Sequence, residues 1–501
     1  MGNAAPLSGP DLSLGVDAAS VAEGKPLLGH AQGEAVLLVR SDGQLFAVSA
    51  TCTHYSGPLA EGLQVGHTVR CPWHHARFDV RTGTAVGAPA LNPLGCYALE
   101  EQGGKVRVTG KKDAPAVKAQ AGLPSVVIVG GGAAGNSAAE TLRNEGYAGT
   151  ITLLSADQSV PVDRPNLSKD YLAGNAPEEW LPLRGEDFYK EKKITLRTNT
   201  RVASIDTVTK KVQLQDGSTL EYGALVLATG AEPIRLPIPG AHLPHVFVLR
   251  TLADCKAILG AVGQAKTAVV LGASFIGLEV AASLRTRGLE VHVVAPEAKP
   301  FERVLGAPVG EWIQKVHEEH AVNFHLKMTA TAIDAKEVTL SNGERIAAEL
   351  VILGVGVRPV FDLAEKAGLA VDRGVKVNAF LETSAPGVYA AGDIARYPDP
   401  RTGEQVRIEH WVVAQRQGQT VARNILGKKQ PFNQAPFFWT TQYDVTLSYV
   451  GHAESWDTLD IEGSLEKRDA TVKYKKKDRV LAVLTVGRDQ ASLENEVQLE
   501  G

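Results

Sequence analysis

The chain has 501 residues, of which 44% are hydrophobic and 22% charged, so bulk disorder is excluded and several globular domains are expected. A formal net charge of -4 argues against a surface that binds nucleic acid. No apolar run is long enough to cross a membrane, no signal-peptide pattern is present, and four cysteines are too few for a disulfide framework. We therefore expect a cytoplasmic protein without a membrane partner.

Residues 8–112 have the short apolar runs and turns of an all-β domain. Strands are predicted at Ala35 to Arg40, at Gln44 to Ser49 and at Val106 to Thr109. A Ser-Asp-Gly turn at 41–43 separates the first two strands, as in a hairpin.

Two short motifs inside this domain carry metal-binding side chains. Cys52 and His54 form a C-x-H motif, and Cys71 and His74 form a C-x-x-H motif sixteen residues further on. Structural zinc is one interpretation, although zinc loops usually pair like ligands and each loop here offers one of each kind. The mixed pairing suits a Rieske [2Fe–2S] centre, in which two thiolates bind one iron and two imidazoles bind the other. We expect the Rieske centre and keep zinc as the alternative.

The loops CTHYSGPLAEG and CPWHHARFDVRTG resemble those of Rieske ferredoxins that serve aromatic-ring dioxygenases. The resemblance implies two thiolate and two imidazole ligands, namely Cys52, Cys71, His54 and His74. High-potential respiratory Rieske proteins carry an extra cysteine in each loop, at the positions of Gly57 and Trp73 here. The resemblance thus implies a potential near the low end of the Rieske range of about −150 to +300 mV.

Four further expectations concern these loops and the segment that follows their domain. His75 is expected to be a packing or surface histidine, because its neighbour already serves as a ligand. Cys96 is expected to be a buried apolar residue. The histidine edge of the cluster is expected to be exposed towards a partner, and residues 113–123, rich in Ala, Lys and Pro, are predicted to be a linker.

A dinucleotide-binding unit is predicted directly after the linker. A strand at Val126 to Val129 leads into a G-x-G-x-x-G turn, an Ala-rich helix and a second strand at Ile151 to Leu154. The glycines permit a tight turn, close approach of the backbone to a pyrophosphate, and close packing of helix on strand; they are Gly130, Gly132 and Gly135. The pyrophosphate is expected at the helix N-terminus, and Asp157 stands where a ribose-binding carboxylate is expected.

A second unit of the same kind follows further along the chain. A strand at Ala268 to Leu271 is predicted, then a helix ending at Arg287 and a strand at Glu290 to Val294. The turn residues are Gly272, Ser274 and Gly277, with a serine in place of the middle glycine. Glu297 follows the second strand and no arginine cluster awaits a 2′-phosphate, which favours NADH and leaves NADPH as the alternative.

The stretch from residue 124 to the C-terminus resembles the ferredoxin-reductase branch of the two-dinucleotide-domain flavoprotein reductases, which is shared with apoptosis-inducing-factor-like proteins. Its most specific motif is DRPNLSK at 163–169, and VLATG at 226–230 and VYAAGD at 388–393 match elements that close an FAD site. The resemblance implies an α/β reductase with a small α+β C-terminal domain. Its expected parts are an FAD-binding domain (124–245 and 379–432), an NAD(H)-binding domain (246–378) and the C-terminal domain (433–501).

The same resemblance assigns roles to individual residues. It implies that Lys169 and Glu279 form a catalytic ion pair beside the flavin and the nicotinamide. The residues expected to contact FAD are Gly130, Gly132, Ala133, Ala134, Gly135, Asp157, Arg164, Ala228, Thr229, Gly230, Gly392 and Asp393. Those expected to contact the nicotinamide nucleotide are Gly272, Ser274, Phe275, Ile276, Gly277, Glu297 and Gly356, with core packing as the rival role for Phe275. Those expected at the flavin ring are Glu409, His410, Trp411 and Trp439.

Alternating runs after residue 433 predict a small antiparallel sheet. Within it, Lys473 to Lys477 is either a solvated sheet face, the favoured interpretation, or a docking site for an acidic redox partner.

These parts predict an FAD-dependent NAD(P)H:ferredoxin oxidoreductase. NADH gives up two electrons together and a [2Fe–2S] centre accepts one at a time, so a flavin is needed between them. Dithiol chemistry is excluded, because Cys255 is the only cysteine after residue 123. We expect electrons to pass from NADH through FAD to the Rieske centre and on to an oxygenase-type protein, with a homodimer as a further expectation. The alternative is an apoptosis-inducing-factor-like oxidoreductase or redox sensor that uses oxygen, quinone or radical acceptors.

Overall fold

The computed structural model describes residues 7–113, 120 and 125–501. The N-terminal part is a β-domain of two antiparallel sheets, with strand orders β1-β10-β9-β4-β3-β2 and β5-β6-β7-β8. Its strands are β1 Val16–Asp17, β2 Leu27–Ala31, β3 Glu34–Ser41, β4 Gln44–Ser49, β5 Leu63–Val65, β6 Thr68–Arg70, β7 Arg77–Asp79, β8 Ala85–Gly87, β9 Cys96–Gln102 and β10 Lys105–Lys111.

The predicted hairpin is present as β3 and β4, paired from Val36↔Ser49 to Ser41↔Gln44. The two metal-binding motifs lie in the loops that follow β4 and β6. Apolar side chains from both sheets, among them Leu37 and Phe78, form one buried cluster that also contains Cys52 and Cys71. The motifs are therefore held by the core of the domain rather than by a free surface loop.

The first glycine turn belongs to a parallel sheet of order β13-β12-β11-β17-β29, with two small antiparallel sheets attached. All residues of β11 and β12 are buried, as expected for strands covered on both faces. The elements are β11 Val126–Val129, α1 Ala133–Asn144, β12 Ile151–Leu154, α2 Asp170–Ala173, α3 Glu186–Glu191, β13 Ile194–Arg197, β14 Val202–Asp206, β15 Lys211–Leu214, β16 Thr219–Glu221, β17 Ala224–Leu227 and β18 Ala231–Pro233.

The second glycine turn belongs to a second parallel sheet, of order β19-β26-β20-β21-β22. The elements are β19 Val246–Phe247, α4 Leu252–Val262, β20 Thr267–Leu271, α5 Phe275–Thr286, β21 Glu290–Ala295, α6 Glu302–Leu305, α7 Ala307–Glu319, β22 Val322–Leu326, β23 Ala330–Ile333, β24 Glu337–Leu340, β25 Arg345–Ala347, β26 Leu350–Leu353, β27 Val357–Pro359, α8 Asp362–Lys366 and β28 Val375–Lys376.

The chain then adds a last strand to the first parallel sheet and ends in a separate C-terminal part. The returning elements are β29 Val388–Ala390, β30 Ala395–Pro398, β31 Gln405–Val406 and α9 Trp411–Ile425. The C-terminal part is an antiparallel sheet of order β32-β33-β36-β35-β34 with one helix. Its elements are β32 Phe437–Gln442, β33 Val445–Gly451, β34 Thr458–Ser464, β35 Asp469–Lys476, β36 Arg479–Val486 and α10 Asp489–Glu500. This order of a β-domain, two α/β sheets and a small α+β domain confirms the predicted fold class.

The N-terminal β-domain lies directly against the rest of the chain. Gln419 of α9 accepts a hydrogen bond from the backbone N–H of Ala88 at 2.8 Å, and Asn144 at the end of α1 donates to Leu91 O at 3.0 Å. Arg184 donates to the side chain of Asn92 at 3.0 Å. Of the predicted linker, all but residues 113 and 120 lies outside the described part of the chain.

The run from Lys473 to Lys477 is predicted to be either a solvated sheet face or a docking site. Lys475 and Lys476 lie on the hairpin of β35 and β36, where Lys476 donates to Ser455 at 3.0 Å and Lys475 pairs with Asp460. The described part of the chain contains no helix with the length and apolarity needed to cross a bilayer. The cytoplasmic location and the domain boundaries stay predictions.

Candidate functional site

The loops after β4 and β6 bring the four predicted metal ligands together. Each loop is closed by the N–H of its cysteine, Cys52 N–H to Gly57 O at 2.9 Å and Cys71 N–H to Ala76 O at 2.8 Å. The two thiols are buried in the same apolar cluster. The rings of His54 and His74 lie 5.1 Å apart between centroids and are nearly perpendicular.

These residues fit a [2Fe–2S] cluster. His54 Nδ1 is buried without a hydrogen-bond partner, and burial lowers the pKa of His54 to about 4, so the ring is in the neutral form that binds metal. A Cβ on Gly57 would lie 2.7 Å from Cys71 Sγ, which explains a glycine there. Two thiols beside two imidazoles match the donor set of a Rieske centre.

His75 and Cys96, which lie close to the cluster loops, differ in burial. His75 is fully buried, stacks on Phe437 with ring centroids 3.9 Å apart, and places Nδ1 3.3 Å from the carboxylate of Glu496. It is therefore a packing residue, as expected. Cys96 was expected to be buried, but it is only half-buried, because it opens strand β9 at the surface beside the Gly83 turn.

The first glycine turn opens a cleft of about 290 Å³. Gly130 has φ = +118°, and a Cβ there would lie 2.0 Å from Ala228 O. Gly135 does not line the cleft; a Cβ there would lie 1.9 Å from Gly130 O, so its role is close packing of α1 on β11. The predicted residues that line it are Gly130, Gly132, Ala133, Ala134, Asp157, Arg164, Lys169, Ala228, Thr229, Gly230, Phe275, Ile276, Glu279, Gly392, Asp393, Glu409, His410, Trp411 and Trp439.

Two arginines face the glycine turn across this cleft. Arg164 pairs with Asp157 at 2.9 Å, and Arg250 pairs with Asp393 at 2.8 Å. Arg250 Nε is buried without a partner, and burial together with the charge of Arg250 lowers the pKa of Arg164. Two partly desolvated guanidinium groups beside a helix N-terminus favour an anion, and the residues therefore fit the pyrophosphate of FAD. Sequence reasoning missed Arg250, which lies before α4 in no recognisable motif.

The predicted pair of Lys169 and Glu279 is present, with Nζ 2.9 Å from Oε2. Lys169 follows a 3-10 helix at Arg164–Leu167, which has the proline of the DRPNLSK motif in its first turn, and Glu279 lies in the second turn of α5. The carboxylate also accepts hydrogen bonds from Ser168 and from Thr440 of β32, both at 2.6 Å. Glu279 thus joins three parts of the chain. Thr440 was not predicted, because nothing local in the strand sequence marks it.

Aromatic side chains of β32 lie between the cleft and the cluster loops. Trp439 lines the cleft, lies 6.0 Å from Lys169 Nζ, and has its ring centroid 4.2 Å from that of His74. His410 stacks on Phe438 at 4.3 Å, and burial lowers the pKa of His410 to about 3. Docking of the N-terminal domain thus places one side of the His74 ring on Trp439, while the rings of His54 and His74 both stay partly exposed.

The second glycine turn opens a separate cavity of about 570 Å³. Predicted residues that line it are Gly272, Ser274, Glu297 and Gly356, and Arg303 was not predicted. Gly277 packs α5 on β20, since a Cβ there would lie 2.2 Å from Gly272 O. Phe275 and Ile276 line the first cleft instead, and Phe275 contacts Phe301 and Phe438 with centroids 4.8 and 4.9 Å apart. Phe275 therefore lies at the junction of the two cavities, within an aromatic cluster.

The cysteines of the chain are all free thiols in the described residues. Cys255 is buried, and its thiol donates to Leu167 O at 3.3 Å. It lies on α4, away from both glycine turns, in agreement with the exclusion of dithiol chemistry.

Comparison with known proteins divides the chain in the same order. Residues 124–418 match the pyridine nucleotide-disulphide oxidoreductase family, residues 15–98 the Rieske [2Fe-2S] domain, and residues 437–495 the reductase C-terminal domain. Apoptosis-inducing factor 3 from Mus musculus is 36% identical over 476 residues, covering 91% of this chain and 78% of the relative. The ferredoxin–NAD(+) reductase component of the anthranilate 1,2-dioxygenase system from Burkholderia cepacia is 36% identical over 353 residues, covering 69% and 86%. The crystal structure of the covalent putidaredoxin reductase–putidaredoxin complex superposes with a TM-score of 0.72 at 36% identity, covering 75% of this chain and 93% of that one.

Proposed function

We propose, from the premise that this chain belongs to the pyridine nucleotide-disulphide oxidoreductase family and carries a Rieske [2Fe–2S] domain, that it passes electrons from NADH through FAD to its own cluster. The family matches confirm the predicted cofactors, which are FAD, the [2Fe–2S] centre and NADH, and they confirm an FAD-dependent oxidoreductase. The route within one chain, the residue roles and the final acceptor are the proposal.

The contact between His74 and Trp439 carries this proposal. His74 is one of the two imidazoles offered to the cluster, and Trp439 lines the cleft that fits FAD. Their ring centroids lie 4.2 Å apart, so the two centres are separated by two side chains in van der Waals contact. A bound flavin supplies the step between a two-electron donor and a one-electron acceptor. The chain's own part is to hold the two sites at this short, fixed distance.

The residue roles in the proposal follow the geometry of the clefts. The first glycine turn with Arg164 and Arg250 holds the FAD pyrophosphate, and Asp157 and Asp393 hold the hydroxyl-bearing parts of the cofactor. Lys169 and Glu279 set the charge where the two cavities meet. The second turn and Glu297 hold NADH, with Phe275 at the junction. The cluster ligands are Cys52, Cys71, His54 and His74.

The final acceptor is proposed to be a protein that approaches the outer side of the cluster loops. Because Trp439 contacts one side of the His74 ring, the accessible side is marked by Trp73, which is 43% exposed. Tyr55 is 39% exposed, but its hydroxyl accepts a hydrogen bond from Asn166 at 3.1 Å and faces the reductase part. Exposed aromatic side chains favour protein contact. The name of the Burkholderia relative supports an oxygenase-type acceptor.

Anaerobic stopped-flow mixing of the loaded protein with NADH tests the relay. In the wild type, flavin reduction is followed by the spectral change of cluster reduction. Cys71→Ser keeps the first phase and abolishes the second, leaving the flavin reduced, whereas Cys96→Ser, a half-buried cysteine of the same domain, behaves as wild type. Flavin reoxidation at an unchanged rate in Cys71→Ser without oxygen would show that the electrons do not pass through the cluster.

A second candidate function is reduction of a small acceptor such as oxygen, a quinone or a radical. A cavity of about 260 Å³ favours it, because residues from the cluster loop, Lys169 and Trp439 line it together. Full turnover with such acceptors in Cys71→Ser would favour this function, whereas loss of turnover with them would favour the relay.

A further inference from the structure

The carboxylate of Glu496 lies at the centre of the contact between the N-terminal β-domain and the rest of the chain. It is fully buried on α10 and lies 2.7 Å from Arg70 Nη1, 3.1 Å from Arg77 Nη2 and 2.9 Å from Arg416 Nη1. Two of these arginines come from the β-domain and one from α9. A carboxylate with three guanidinium partners and no solvent is rare, because each buried charge requires its partners in place.

The partners are arranged as two facing pairs. Arg70 and Arg77 are directly opposite each other on β6 and β7, and Glu496 and Glu500 lie one helical turn apart on α10. Glu500 contacts Arg70 at 2.9 Å and also contacts Arg77. Hydrogen bonds between guanidinium and carboxylate groups are directional, so the two pairs fit together in only one position of α10 relative to β6 and β7.

Arg416 extends the contact to the backbone of the cluster-binding domain. It is fully buried and donates to His75 O at 3.0 Å and to Ala88 O at 3.3 Å, besides Ala435 O at 3.0 Å. The His75 ring lies between Glu496 and Phe437. We call Arg70, His75, Arg77, Arg416, Glu496 and Glu500 the Glu496 clamp.

The clamp and the relay contact lie on the same two segments. His74 and His75 are consecutive, and their rings lie on Trp439 and Phe437, which point to the same face of β32. His75 has φ = +58°, a left-handed conformation that breaks the alternation of an extended chain and so lets both rings face β32. A shift of the loop that loosens His75 therefore also moves His74 away from Trp439.

We propose that the Glu496 clamp positions the cluster-binding loop, so that Glu496 and His75 are positioning residues for electron transfer from the FAD cleft to the cluster. This inference rests on the proposed relay, but the clamp itself is a statement about docking and is measurable without turnover. Apolar residues of the same volume would hold the two domains together equally well. A positioning role for the clamp explains why arginines and glutamates are buried at this contact instead.

The test uses Glu496→Gln in the full chain loaded with FAD and cluster. The variant loses the charge that three arginines share, so the N-terminal domain separates from α9 and α10. Small-angle X-ray scattering then shows a larger radius of gyration, and hydrogen exchange accelerates in β6, β7 and the loop at 71–76. In stopped-flow, flavin reduction by NADH is unchanged, while cluster reduction slows by about 10²-fold or more, because undocking separates the rings of His74 and Trp439.

The matched control is Glu100→Gln, which removes an exposed ion pair with Arg107 in the same domain and leaves all three readouts as in wild type. Should Glu496→Gln not fold, Glu500→Gln, at the partly exposed edge of the clamp, gives the same changes to a smaller degree. Unchanged scattering and exchange would overturn the clamp, and so would slower cluster reduction without undocking. Undocking in a protein whose wild type shows no cluster reduction would support the clamp and refute the relay.

Discussion

The two glycine turns of this protein use the same local geometry for two different tasks. Gly130 and Gly272 have φ of +118° and +115°. A Cβ at either position would collide with a carbonyl oxygen just after the adjacent strand, with Ala228 O at 2.0 Å and with Gly354 O at 2.3 Å. Gly135 and Gly277 are both pressed against the first glycine of their own turn. The backbone requirement is thus the same in both units.

The difference lies in what surrounds each turn. The first faces two arginines and is covered by α5, α9 and β32, which come from three later parts of the chain. The second is lined almost entirely by its own unit, with Glu297 and Arg303 on its rim. Distant elements thus complete the first cleft, whereas the second cavity is built almost entirely within one unit. The two sites differ in their tertiary cover and not in the turn itself.

Substitution of the first glycine of each turn is expected to give the largest effect and to separate the two tasks. Gly130→Ala places a Cβ against Ala228 O and strains the turn by about 1–3 kcal/mol before any clash is counted. We expect it to lose FAD, measured as flavin absorbance per protein. Gly272→Ala is expected to retain FAD but to lose reduction by NADH. Gly260→Ala, with no atom within 4 Å of the new Cβ, is the control; equal loss of FAD in both turn variants would contradict the comparison.

A pH effect on stability is expected beside the first glycine turn. Burial raises the pKa of Asp163, which precedes Arg164, to about 6, so the folded state holds a proton that the unfolded state releases near pH 4. Stability is therefore lost as pH rises from about 4 to 6, by up to about 3 kcal/mol, and stays lost above that window. Asp163→Asn removes the loss.

Thermal unfolding of wild type and Asp163→Asn at pH 4.5 and at pH 8 measures this difference. The variant is expected to gain more stability over wild type at pH 8 than at pH 4.5. Asp187→Asn, which changes a carboxyl group that is 89% exposed, is the control. The same gain at both pH values would mean that Asp163 is ionised throughout and that the enclosure is looser than its burial indicates.

The smallest effect is expected at the rim of the second cavity. Glu297 and Arg303 line the same cavity, and we expect the carboxylate to repel a 2′-phosphate and the guanidinium to attract one. Glu297→Gln is expected to raise kcat/KM for NADPH about tenfold, equal to about 1.4 kcal/mol, and to change that for NADH little. Steady-state kinetics with both nucleotides measure the ratio, with Glu311→Gln on the exposed face of α7 as control. An unchanged ratio would place nucleotide selection elsewhere in the cavity.

The local features of both turns and both cluster loops could be predicted from the sequence, because each depends on residues that are close in the chain. A glycine that must adopt positive φ, or a cysteine and a histidine two or three residues apart, leaves a visible spacing. The same holds for the strands and helices of the fold class. Lys169 and Glu279 were added only through resemblance to a family.

Other features were decided by tertiary structure alone. Arg250 lies 143 positions from its partner Asp393, and Thr440 lies 161 positions from Glu279. Glu496 lies 426 positions from Arg70. Contacts over such separations leave no periodic pattern in the sequence. The contact of His74 with Trp439 has the same origin, since it exists only because the N-terminal domain is docked on β32. The residues that give each site its chemistry lie close together in the sequence. The distance between the sites instead depends on how the buried charges of separate domains pair with each other.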